Sequence, residues 1–392
     1  MKILFYSPFM SYTGSEMILK YIFDSSKIIS PILISGQKGM LIKELSSNVK
    51  TYYPPNLDTN KNKLYRILRL FRLDFTEIWF RRILSKEKPD LMVINTLACQ
   101  YILPYVKKYD IPFIIYVHEQ APLYELLSKD WFFWISKNAI SAIGCSSKVC
   151  DELKTMGFKK VSLFYECIDV KNIMVDSLLL ENLKLNFTNY KKIFIMSGTA
   201  EYRKGLYYLP KIAKYLALKE AALIWIGNDN LSNFEFYIQK LVKDEGLSNC
   251  FFIGKKIKRI EYYTWMNLAD AYILTSLYDP YPLTMIEAAY LQKPIFAFNS
   301  GGVNEFVEEG MGKVVPFYNI DELLGVLNDF VDGEINIDYN KLKNRALEHD
   351  IEKNITKFEE ILSAEWKNLN LASFSLLIIL LLTFYGRQLT AY

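Results

Sequence analysis

Histidine is almost missing from this 392-residue chain: His118 and His349 are the only two. That scarcity excludes metal centres built from several histidines. The five cysteines, Cys99, Cys145, Cys150, Cys167 and Cys250, include no C-x-x-C pair. An odd, scattered set predicts reduced thiols, not a disulfide framework. No G-x-G-x-x-G follows the first apolar run, and no G-x-x-x-x-G-K-[ST] occurs anywhere, which argues against a dinucleotide enzyme and a P-loop ATPase. Asp-x-Asp, a spacing that can hold a metal beside a nucleotide diphosphate, is missing too. Strong charge is also lacking: 47 Lys and Arg against 43 Asp and Glu leave +4, too mild to point to a nucleic-acid partner. Met1–Ser7, with Pro8 behind it, has no long apolar h-region, so we expect no secretory leader and a cytoplasmic body.

What is present is apolar and aromatic. Hydrophobic residues make up 51% of the chain, with 28 Tyr and 25 Phe, enough for large cores in about two domains. Charge is uneven: residues 1–190 hold 25 basic and 18 acidic side chains, so the first half is the basic one. Short apolar runs predict strands at Ile3–Ser7, Pro31–Ile34, Asp90–Asn95, Phe113–Val117 and Ala142–Cys145. They resume at Ile193–Ser197, Leu223–Gly227, Phe251–Gly254, Tyr272–Thr275, Ile295–Ala297 and Val314–Pro316. Runs without polar alternation suit parallel strands buried on both faces, and the amphipathic stretches between them supply crossover helices. The pattern pauses at Val170–Tyr190, read as a linker between two doubly wound α/β domains, residues 1–180 and 190–345.

Ligands of such folds bind beyond the carboxyl ends of the strands. Three loops there carry chemistry. After the first strand comes Pro8–Glu16, where Gly14 permits a tight turn and Ser15 can cap a helix over Met17–Phe23, leaving amides for an anion. An ordinary strand–helix loop explains the same residues. After the first strand of the second half, Arg203 and Lys204 can neutralise a diphosphate, Arg as a fork and Lys as a point charge; a solvated basic loop is the bland alternative. The third loop, Ser276–Pro282, opens a helix near Leu283, so the amides of Leu283 and Thr284 would point at a phosphate. Asp279 and Glu287 can then face one cleft, and carboxylates there suit neighbouring sugar hydroxyls. Read blandly, Glu287 is a helix-dipole partner and Asp279 a turn residue.

The Asp279…Glu287 spacing resembles the E-x7-E motif of the retaining family-4 glycosyltransferases, which have the GT-B fold of two Rossmann-like domains facing a cleft. The resemblance runs from Met1 to about Ser363. Gly14-Ser15-Glu16 resembles the family's Gly-Gly-x-Glu loop, Asp90–Asn95 its Pro-Asp strand, and Ser146–Val149 its serine-bearing stretch. Arg203-Lys204-Gly205 resembles its diphosphate segment, and Gly301–Glu305 its Gly-Gly-x-x-Glu loop. The resemblance implies a metal-independent transfer, with retention, from a UDP- or GDP-linked sugar and without a further cofactor. In it Gly14, Arg203 and Lys204 attend the diphosphate, Asp279 the donor sugar, Glu287 the ribose, and Leu283 and Thr284 the phosphate. His118, at the end of a predicted strand, matches a histidine beside the donor sugar; a satisfied core histidine is the alternative. Three departures stand out: Asp279 where Glu is usual, Thr13 for the first glycine, and Tyr165–Asp169 in place of Asn-Gly-Ile-Asp.

Membrane contact is expected from two segments. Lys61–Lys88 is basic and amphipathic, which fits anionic lipid, although a crossover helix with a solvated basic side fits equally. A helix over residues 346–367 is expected to return to the first domain. Asn368–Gly386 follows without a charge, its apolar centre Leu371–Tyr385 near fifteen residues where a span needs about 20. It reads as a short anchor, an interfacial helix or a tail buried in a partner, membrane attachment being favoured. The expected enzyme works at the cytoplasmic face of a membrane on a glycan or lipid-linked acceptor of a cell-surface polysaccharide. The alternatives are a GT-B epimerase or phosphorylase and, outside enzymes, a non-catalytic GT-B scaffold subunit.

Overall fold

A computed structural model describes residues 1–55, 74–227, 233–254 and 258–389, with only the backbone of Leu126 and of 372–389. Two all-parallel sheets carry the fold. The first comprises β1 (Lys2–Ser7), β2 (Ser30–Ser35), β3 (Lys50–Tyr52), β4 (Leu91–Asn95), β5 (Phe113–Val117), β6 (Ser141–Gly144) and β7 (Val161–Leu163), in the order β3-β2-β1-β4-β5-β6-β7. The second comprises β8 (Lys192–Ser197), β9 (Ala221–Ile226), β10 (Cys250–Ile253), β11 (Ala271–Leu274), β12 (Ile295–Phe298) and β13 (Gly312–Val315), in the order β10-β9-β8-β11-β12-β13. The central strands are buried along their whole length, as their unbroken apolar runs require. Strand order reverses between β1 and β4 and again between β8 and β11, which opens a crevice at each switch point.

The sequence reading needs correction in three places. Two edge strands, β3 and β7, went unrecognised. Ser15 caps nothing: the first helix is Gly14–Ser25, with Thr13 at its N-cap and no side-chain cap bond. The segment read as a linker holds a helix, Ser177–Asn186, capped by Asp176 through the amide of Leu179. It packs on the Arg259–Leu268 helix of the second half, and Asp176 N–H donates to Thr264 Oγ1 at 2.9 Å. Of the basic segment Lys61–Lys88, the part before Asp74 lies outside the described residues; the rest is the Phe75–Glu87 helix, which buries Phe80 and Ile83 in the core.

Two chain passages join the halves, and they are paired. Ile168 N–H donates to His349 O and Ile351 N–H to Ile168 O, both at 2.9 Å. The Ile351–Leu389 helix starts at this pairing and packs on Gly14–Ser25, where Glu359 accepts from Ser26 Oγ at 2.6 Å and Glu365 pairs with Lys160 at 2.7 Å. Its apolar end, from residue 372, lies outside the described side chains; among the described residues no helix is long and apolar enough to cross a membrane.

Candidate functional site

The loops after β1, β8 and β11 meet in one cavity of about 180 Å³ between the two sheets. Gly14, Arg203, Lys204, Leu283, Thr284 and Glu287 all line it, and Arg259 lines it as well. Two helices present their N-termini to this space, one from each half: Gly14–Ser25 and Leu283–Tyr290. They approach so closely that a Cβ on Gly14 would lie 3.8 Å from Leu283 Cδ1. Among the described residues the amides of Leu283 and Thr284 have no acceptor, the usual state of a first helical turn and a ready site for an anion. The buried hydroxyls of Thr13 and Thr199, also on the cavity wall, are likewise without a partner. Buried polar atoms are seldom left unpaired, so the cavity is built for a polar ligand.

The Arg203-Lys204 loop is fixed to the segment after β11. Leu277 N–H donates to Arg203 O at 2.7 Å, and Thr275 Oγ1 to Gly205 O at 3.1 Å. Gly205 makes this possible: its φ is +70°, and a Cβ would fall 2.0 Å from Thr275 O. Lys204 Nζ reaches Asp279 Oδ2 at 2.5 Å. Burial pulls the lysine's pKa down, and the carboxylate opposes that shift. Arg203 pairs with Glu201 at 2.8 Å and stays partly exposed. Asp279 therefore reaches the cavity through Lys204; it is not one of the lining residues.

Glu287 is 2% exposed and its Oε1 accepts from Arg259 and, at 3.0 Å, from Tyr263 OH. Each acid of the spaced pair thus has its own cation. Sequence reasoning missed Arg259, which stands on another helix and shares no motif with Glu287.

His118 lies apart from the cavity lining, at the end of β5. Its Nδ1 is 2.6 Å from Glu166 Oε1 and its Nε2 is 2.8 Å from Asn95 Oδ1. Asn95 Nδ2 donates to Ser15 O at 2.9 Å, so its oxygen is the acceptor and both ring nitrogens donate. Burial alone would lower this histidine's pKa; Glu166, with Glu119 and Glu16, overcomes that and the net shift is upward. In this arrangement both ring nitrogens of His118 are engaged and its charged form is favoured. Cys145 lies beside the pair, and the donor atoms of His118, Cys145 and Glu166 fall within 4.8 Å of one another. Burial pushes the Cys145 thiol well above its usual range, which leaves the group a poor cation site. His349 is the opposite case: neutral, between Tyr281 OH at 3.1 Å and Glu166 O at 3.2 Å, its pKa lowered to about 4 by burial.

Residues 181–355 match the family described as glycosyl transferases group 1. No curated protein sequence matches the chain. Among solved structures, HepE from Anabaena in complex with UDP and glucose is 17% identical over 93% of this chain and 100% of its own, with a TM-score of 0.74. Sucrose-phosphate synthase from Thermosynechococcus elongatus is 14% identical over 94% and 99%, with a TM-score of 0.76. The lipopolysaccharide outer core galactosyltransferase WaaB is 15% identical over 93% and 100%, with a TM-score of 0.64. At these identities the likeness is one of fold, and the fold is GT-B.

Proposed function

We propose, from the match of residues 181–355 to the group 1 glycosyl transferases, a retaining transfer of a sugar from a UDP- or GDP-linked donor. The observation that carries the reading is the cavity where two helix N-termini, Arg203 and Lys204 surround unpartnered amides and hydroxyls. Such a wall suits a diphosphate. As the bond from the anomeric carbon to the leaving phosphate oxygen lengthens, negative charge grows on the diphosphate. Fixed cations and amides stabilise that charge most where it is greatest, which lowers the barrier. Glu287 is placed to accept ribose hydroxyls, and Asp279, held by Lys204, those of the sugar. Retention and independence from a metal rest on the resemblance of the acid pair and its loops.

We place the acceptor, a glycan or a lipid-linked saccharide, at a lipid surface. The Lys129–Asn138 helix carries Trp131, Phe132, Phe133 and Trp134 in succession, and Phe133 is 65% exposed. Lys107 Nζ lies 5.9 Å from the ring centre of Trp131 and Lys137 Nζ 5.5 Å from that of Phe133. Indole and phenyl rings among ammonium groups suit the headgroup level of an anionic bilayer. The HepE and WaaB likenesses are consistent with sugar transfer of this kind.

The test is binding and slow hydrolysis of UDP-, GDP-, ADP- and CMP-sugars, with Glu287→Ala and Lys204→Ala beside the native chain. One donor should bind and turn over, and each variant should lower turnover at least 100-fold. Folded protein that binds none of the four would overturn the transferase and favour a scaffold subunit. The anomeric configuration of the product, read by NMR, decides retention.

A further inference from the structure

The carboxylate of Glu287 is used on one side only. Its Oε1 is saturated by Arg259 Nη2 and Tyr263 OH, whereas Oε2 has no hydrogen-bond partner among the described residues. The side chain is only 3% exposed, and what it faces is the cavity. A buried carboxylate held by two donors at one oxygen is turned so that the other is offered to a ligand. Arg259 is itself held from three directions. Its guanidinium lies 4.7 Å from the ring centre of Tyr263 and 5.4 Å from that of Tyr262 on its own helix, and Nη2 is 3.4 Å from Tyr21 OH. Tyr21 belongs to Gly14–Ser25, the helix that forms the opposite wall of the same cavity. The cavity's volume of about 180 Å³ is below the roughly 300–1,000 Å³ common for small-molecule sites, and the arginine stands on its wall.

We propose that Arg259 is a positioning residue for ribose: with Tyr263 it holds Glu287 by Oε1 and aims its Oε2 at the ribose hydroxyls of the donor. This rests on the proposed donor site and deepens it. The bonds of Arg259 go to the carboxylate and to two tyrosines, so its effect should be greatest on ligands that carry ribose hydroxyls. Through Tyr21 it also ties ribose recognition to the first half of the molecule. Nothing in the acid-pair spacing announces this residue. It reaches Glu287 from 28 positions away in the chain.

The experiment is calorimetric titration of the full chain with UDP and GDP, then with the 2′,3′-dideoxy form of whichever binds. The native chain should prefer the ribonucleotide by tenfold or more. Arg259→Met should erase most of that preference while changing the affinity for the dideoxy form less than twofold; Arg259→Lys should restore part of it. Tyr263→Phe removes the other donor and should give a smaller loss of the same kind, which keeps the test open if Arg259→Met folds poorly. Equal weakening towards both nucleotides, or an unchanged preference, overturns the positioning role. A native chain that binds neither UDP nor GDP overturns the donor site itself, a result distinct from failure of the arginine alone.

Discussion

Glu16 carries a liability that a single substitution exposes. It is 1% exposed, its Oε2 has no partner, and burial lifts its pKa from 4.5 to about 7. Between those two values the folded chain holds a proton that the unfolded chain has lost, so stability falls as pH rises through that range and then levels. Glu16→Gln should therefore stabilise by about 2–3 kcal/mol at pH 8 and by almost nothing at pH 4.5. Melting curves at the two pH values check this, and an equal shift at both would show that charge is not the cause. At the same scale, the sequence marks the charged part of the cavity's lining, because Arg203, Lys204 and Glu287 sit in local motifs whose residue types already suggest phosphate and hydroxyl ligands. It could not show the partners. Glu166 reaches His118 from 48 positions away and Tyr21 reaches Arg259 from 238, separations at which no local pattern survives.

Elements were legible where burial was complete. Strands such as β4 and β5 are apolar throughout and announce themselves. β3 and β7 are three residues each, partly exposed at the sheet edge, and so short a stretch carries no run to recognise. The Ser177–Asn186 helix was hidden by its asparagines, although Asp176 three residues before Leu179 is a usable cap signal. Two motifs that the sequence treats separately prove to be bonded partners. Glu305 accepts from the amides of Ser147 at 2.8 Å and Lys148 at 3.0 Å, so a carboxylate of the second half caps the Ser147–Thr155 helix of the first. Gln120 adds a second tie, donating to Ser300 O at 2.9 Å, and a Cβ on Gly301 would collide with it at 1.8 Å. Glu305→Ala should cost about 1 kcal/mol through the lost cap and enlarge the radius of gyration in X-ray scattering. A stability loss with unchanged scattering would show that the cap does not set the spacing of the halves.

For the whole molecule, the doubly wound order followed from alternating runs and crossovers, whereas the facing of the two sheets depends on contacts such as Gly14 against Leu283 that only the folded chain displays. The lipid contact proposed above belongs to this scale too. Sedimentation of the full chain with vesicles of phosphatidylcholine alone, or with a third of phosphatidylglycerol, should show binding only to the anionic mixture. Phe133→Ser with Lys129→Glu should weaken it several-fold without changing donor hydrolysis. Binding that these substitutions leave intact would move the contact elsewhere. The pairing of Ile168 with His349 and Ile351 has a mechanical meaning as well. A body joined by one strand can swivel freely; a body joined by two passages stitched side by side turns about the line between them, as a door turns on its pins. The halves can open and shut about that axis but cannot slide past one another without tearing the stitch. Glu305 stands close to that line, the ring of its neighbour Phe306 lying 5.3 Å from that of His349, so its bonds to Ser147 and Lys148 brace the hinge itself.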